Sequence, residues 1–184
     1  MTTGCHIRNP SSPYYLTFTV VDWVDVFTRK IYRDIIIDSF KYCRINKGLK
    51  VGGYIIMPNH IHCILSAVKE NLPDIIRDLK RHTASTILKA IQTPEESRRD
   101  WMMKRFEFSA RSNIRNSDYQ FWAHNNHPEE LITGEFTNQK LNCIHMNPVR
   151  AGFVEKPEDW LYSSASNYLC QQSLLEIDRI DFGI

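Results

Sequence analysis

The sequence predicts an α+β domain, with a ferredoxin-like antiparallel sheet and helices packed on one face. Three observations carry this reading. Residues 14–21, Tyr-Tyr-Leu-Thr-Phe-Thr-Val-Val, are β-branched and aromatic and partly alternate. Residues 50–57 and 60–65 are extended apolar runs parted only by Pro58 and Asn59, the pattern of an antiparallel hairpin. Amphipathic segments precede and follow that hairpin, so the order runs strand, helix, strand, strand, helix.

In the first strand Leu16, Phe18 and Val20 share one face, and Tyr15, Thr17 and Thr19 the other. Residues 30–46 place Ile31, Ile35, Ser39 and Tyr42 or Cys43 at helical spacing, and Gly48 stands where a C-terminal cap belongs. After the hairpin, Asn71 is an N-cap candidate and Pro73 suits a first turn, with Ile75, Ile76, Leu79, Thr83, Ile87 and Ile91 as the apolar stripe. A fourth strand is expected at Tyr119-Gln-Phe-Trp122. Residues 134–146 read as a helix stopped by Pro148, and 160–169 as a short closing helix. The tail, 171–184, is acidic and apolar, either packed on the body or frayed.

At 184 residues the chain suits one domain with a real core, and 42% hydrophobic and 24% charged residues are ordinary for a globular protein. No run approaches the roughly 18 apolar residues that a membrane helix needs. The start lacks the apolar core of a signal peptide, so a cytoplasmic protein without membrane contact is expected. Five widely spaced cysteines without a Cys-x-x-Cys pair argue for reduced thiols. A net charge of +2 does not by itself imply nucleic acid, but charge is uneven. Between 98 and 115, Arg98, Arg99, Lys104, Arg105, Arg111 and Arg115 face only Asp100 and Glu107, with Trp101, Phe106 and Phe108 interleaved. That suits a surface that neutralises phosphates and stacks bases, and equally a solvated helix with its aromatics in the core.

His60 and His62 stand two apart in Ile55-Ile-Met-Pro-Asn-His-Ile-His-Cys-Ile-Leu65 and therefore share one strand face. Two imidazoles so placed form half of a divalent-metal site, or are simply a polar strand face.

Four pieces occur in order: Tyr15-Leu-Thr-Phe-Thr19, Met57-Pro-Asn-His-Ile-His62, Phe121-Trp122, and Cys143-Ile-His-Met-Asn-Pro-Val-Arg-Ala-Gly152 followed by Trp160-Leu-Tyr-Ser-Ser164. Together they resemble the REP-associated tyrosine transposases, within the wider superfamily of single-strand transposases with a His-hydrophobic-His motif, over about 4–168. The resemblance implies one transposase-like domain over 1–170, followed by the tail. It implies an added C-terminal helix that bears the nucleophile. It also implies cleavage and rejoining of single-stranded, often hairpin-bearing DNA through a 5′-phosphotyrosine, with a divalent metal, Mg2+ or Mn2+, held by His60 and His62. The family's amide ligand falls on Asn147, whose other reading is a helix-terminating residue before Pro148. Phosphate contacts are expected from the basic segment and from Lys80, Arg81 and Arg150. Monomer and homodimer both remain open.

One departure matters. The family's nucleophilic tyrosine position holds Cys143, whose sulfur stops a ring short of a phenol oxygen and is a soft match for phosphorus. Lost catalysis with DNA binding kept, a replaced residue, or another tyrosine (Tyr119, Tyr162, Tyr168) would account for it. A domesticated nucleic-acid-binding module is the alternative function, and an unrelated metal hydrolase ranks last because no acid stands at ligand spacing. His145 falls on the opposite side of its helix and reads as a packing residue. Cys43, Cys63 and Cys170 read as buried thiols, and Tyr14 and Tyr15 as sheet residues.

Overall fold

The computed structural model describes residues 7–69, 71–111 and 118–180; Cys5, His6 and Arg115 lie outside the described residues. Strands β1 (Tyr14–Thr19), β2 (Leu49–Ile56), β3 (His60–Ala67) and β4 (Glu129–Glu130) form one antiparallel sheet in the order β2-β3-β1-β4. Helices α1 (Lys30–Lys47) and α2 (Leu72–Ile91) connect them in the predicted alternation. Gly48 closes α1 in the left-handed region at φ 70°, returning its N–H to the Cys43 carbonyl.

Alternation divides the sheet into two dissimilar faces. Leu16, Phe18, Tyr54, Ile56, Ile61 and Cys63 join Tyr32, Ile36, Phe40, Ile75, Leu79 and Ile87 in the main core under α1 and α2. On the opposite face Tyr15, Ile55, Met57 and Ile64 pack with Leu131 and Ile144, the latter from α4 (Gly134–Arg150). The α+β architecture, with two helices on one face and an added C-terminal helix on the other, is thus the one expected.

Three elements differ from expectation. Tyr119-Gln-Phe-Trp122 makes only an isolated bridge, Val20 to Trp122, and β4 lies further on. Phe121 and Trp122 are buried and Trp122 Nε1 donates to Thr83 Oγ1 at 3.1 Å. Core filling, and not a hydrogen-bond ladder, selects these aromatic residues. Pro148 does not stop α4, because it falls in the last turn. Its missing N–H costs one bond there, and Gly152 at φ 74° and Phe153, bonded to the Pro148 carbonyl at 2.9 Å, close the end. Of 160–169 only α5 (Ala165–Tyr168) is helical. Tyr162 and Ser164 instead extend the β2 edge, through Ile56 N to Tyr162 O and Ser164 N to Tyr54 O, both 2.9 Å.

The tail is packed as far as it is described. Leu175 is buried in the main core, and Asp178 bonds the Val51 backbone and pairs with Arg44. The basic segment forms α3 (Arg99–Arg111), seated on the turn Val21–Trp23.

Candidate functional site

His60 opens β3, and pleating sends it and His62 to the face opposite Ile61 and Cys63, which are fully buried. Their ring centroids are 4.7 Å apart. Each imidazole is held from behind. His60 Nδ1 lies 2.7 Å from Asn59 Oδ1, and the Asn59 amide nitrogen points instead at the Trp23 carbonyl, 3.4 Å away. An amide oxygen only accepts, so the proton belongs on Nδ1 and the lone pair on Nε2. His62 Nδ1 lies 2.8 Å from the Tyr15 hydroxyl and 3.0 Å from Thr17 Oγ1, the residue opposite it across β1. Both hydroxyls can accept the same tautomer's proton, and Tyr15 also stacks on the ring at 5.4 Å.

Burial keeps the pair neutral. Desolvation lowers the His60 pKa, and desolvation, then His60 and Lys140, bring His62 down to about 3. Burial likewise pushes the Tyr15 phenol up, so it stays protonated. Two neutral imidazoles, each in the Nδ1–H tautomer with its Nε2 lone pair available, fit a divalent cation. Among the described residues no group of three or more His, Cys, Asp or Glu side chains that could hold a metal ion gathers.

The sequence seats α4 over this face through a glycine. A Cβ on Gly53 would come within 2.7 Å of Leu141 Cδ2, so the bare backbone of β2 lets the helix approach. From α4, Lys140 places its ammonium 4.6 Å over the Tyr15 ring and pairs with Glu129 of β4 at 2.6 Å. Cys143 follows one turn on, half-buried and close enough to contribute to the raised Tyr15 pKa; Asn147, also half-buried, lies one turn further. His145 is turned away, bonded to Ser164 Oγ at 3.0 Å and against Tyr168, and burial lowers its pKa to about 4.

Tyr15, Thr17, Asn59 and Lys140 are the site neighbours that sequence reasoning missed. Asn59 adjoins the motif and was legible in principle. The others depend on which strand and helix lie beside β3. Of the tyrosines weighed as substitutes, Tyr162 donates to Asp34 at 2.7 Å and Tyr168 to the Gly52 carbonyl at 2.6 Å, while Tyr119 is exposed in a groove along α2 with Lys80 and Arg81.

The predicted basic surface is smaller than its sequence suggests. Lys80 is turned inward, donating to the Ala123 carbonyl and Asn126 Oδ1 and lying over Phe18, and desolvation brings its pKa to about 8. Arg98 pairs with Asp25 at 3.0 Å and with the buried Glu96, so it braces the fold. Lys80 and Arg98 are thus both engaged by carbonyls and carboxylates of the fold itself. Arg99 pairs with Asp100 and Arg111 with Glu107 on the exposed surface. Arg81, Lys104, Arg105 and Arg150 are exposed and form no ion pair among the described residues. The aromatics divide too, with Phe106 buried while Trp101 and Phe108 are 45% and 67% exposed. Cys43 and Cys63 are buried as expected, but Cys170 is exposed at a left-handed turn.

The model of the IS200-like transposase family matches residues 11–114, more than half of the chain. No curated protein matches the sequence. Among solved structures, a REP-associated tyrosine transposase bound to a REP hairpin aligns with a TM-score of 0.61 and 15% identity, over 99% of this chain and 95% of that one. A protein of Deinococcus radiodurans described as a candidate transposase aligns with a TM-score of 0.45 and 14% identity, over 83% and 98%. Among the described residues no helix is long and apolar enough to cross a membrane. By its matching segment, the chain belongs to the IS200-like transposase family.

Proposed function

We propose that this protein binds single-stranded, hairpin-bearing DNA at the histidine face and is built for metal-assisted cleavage and rejoining of it, with His60 and His62 as ligands of Mg2+ or Mn2+ and Asn147 in support. The observation that carries the reading is that both imidazoles stand on one strand face with their Nδ1 atoms hydrogen-bonded to protein partners; in the Nδ1–H tautomer each offers an Nε2 lone pair. When bound, the cation would supply Lewis-acid polarisation of the scissile phosphate. The hairpin partner is supported by the fold shared with a transposase bound to a REP hairpin. Arg81, Arg99, Lys104, Arg105, Arg111 and Arg150 provide the phosphate contacts.

Position 143 is where the nucleophile belongs in this reading, and the Cys143 sulfur stops a ring short of a tyrosine oxygen. That observation favours a second reading, a catalytically inactive nucleic-acid-binding module on the same scaffold. The two share their binding half, which anisotropy titration of a fluorescent hairpin oligonucleotide against salt tests. Affinity is expected to fall steeply with salt, with a log–log slope of about −3 to −5 for four to six phosphate contacts. A flat salt profile would remove the basic surface from the account. Loss of Mn2+ binding in His60→Ala and His62→Ala variants, read by electron paramagnetic resonance, tests the metal; unchanged binding would contradict it.

A further inference from the structure

We propose that Trp23 is a stacking platform for one unpaired nucleobase beside the histidine pair, an inference that rests on the DNA-binding reading above. Trp23 is 64% exposed, and its ring meets His60 edge-on with centroids 5.8 Å apart. Leaving an indole in water forfeits the burial that usually places tryptophan in a core.

The backbone beneath it is costly as well. Asp22 and Trp23 are consecutive non-glycine residues in the left-handed region, at φ 52° and 55°. Such residues persist where the surroundings hold them, and they cluster at ligand sites. Here the surroundings are specific. The Trp23 carbonyl accepts from the Asn59 amide, whose oxygen holds His60, and Asp22 Oδ2 accepts from Ser109 Oγ of α3 at 3.3 Å. One turn therefore joins the indole to the candidate metal ligand on one side and to the helix bearing Lys104 and Arg105 on the other. Glycine would relieve the backbone, yet the sequence keeps the largest aromatic there. An exposed ring between a phosphate-binding surface and a phosphate-polarising centre matches what sequence-tolerant binding of single strands requires.

The test uses the full chain and a fluorescent hairpin oligonucleotide with a single-stranded extension, beside copies in which each unpaired base is replaced in turn by an abasic site. Trp23→Ala is expected to weaken binding about 5- to 100-fold, the loss of one base–aromatic stack, and Trp23→Phe to restore most of it. One abasic position should weaken the wild type by a similar factor and leave Trp23→Ala indifferent. Trp23→Gly relaxes the left-handed backbone, so it should lose the same affinity without a lower Tm, which separates stacking from folding. Wild-type affinity in both the Ala and Gly variants would overturn the proposal while leaving the DNA-binding reading intact. Failure of the wild type to bind the oligonucleotide at all would overturn that reading and this one with it.

Discussion

His62 is held by Tyr15 and Thr17, and His60 by Asn59, so each candidate ligand carries its own orienting partner. Partners of this kind are typically worth 10- to 100-fold in metal affinity. Tyr15→Phe combined with Thr17→Val should therefore weaken Mn2+ binding by about that factor in a calorimetric titration while leaving both imidazoles in place; unchanged affinity would make the hydroxyls mere packing. The lowered histidine pKa values also set an acid limit. His62 and His145 stay neutral in the fold down to about pH 3 and 4, but in the unfolded chain they take up protons near their usual value of about 6.5. Between those limits the unfolded state binds more protons. Stability is then fully present well above pH 6.5 and falls as pH drops through it, by roughly 2 kcal/mol for each of the two histidines at pH 5. Urea titrations of the metal-free protein at pH 7 and pH 5 measure this, and His62→Gln should remove about half of the difference, leaving the His145 part.

Two elements, α3 and α4, decide what the site can do, and they were legible to different degrees. The helical pattern of α4 was visible, but its seat is a glycine on another strand. Gly53→Val should push Leu141 and the helix off β2, at a cost of about 1–3 kcal/mol in urea unfolding. For α3 the charge run was visible, while the partners that consume it were not. Arg98 braces the buried Glu96, together with Arg29. Arg98→Ala should accordingly lower stability by about 1–3 kcal/mol, with little change in the salt slope of DNA binding. Lys104→Ala and Arg105→Ala should each reduce that slope by about 1 and leave stability alone. A lowered slope in Arg98→Ala at unchanged stability would reverse these assignments. The fourth strand escaped for a similar reason: Phe121 and Trp122 are β-prone because they fill the core, whereas Glu129 and Glu130 pair with β1 and carry no β signal.

Across the whole molecule, local pattern revealed the strand–helix order, the hairpin and the histidine face, because period and turn chemistry are written within short windows. Long-range pairing was hidden: that β1 would bring Tyr15 and Thr17 to His62, or that residues 162–164 would extend the edge of β2, follows only from the assembled sheet. The assembled fold is a two-faced sheet, with the main core under α1 and α2 and, under α4, a smaller apolar cluster that shares its face with the histidine pair. On that second face the histidine pair of β3 and Lys140 and Cys143 of α4 come from two elements far apart in sequence. The proposed function makes this face a strand-cleaving site whose nucleophile position is held by Cys143. The most direct measurement incubates the wild type and Cys143→Tyr with labelled hairpin single-stranded DNA and Mn2+, and looks for a covalent adduct that survives denaturant and reductant. An adduct with Cys143→Tyr alone, abolished by adding His60→Ala, is the expected result; no adduct with either protein, or one that persists without the histidines, would contradict it.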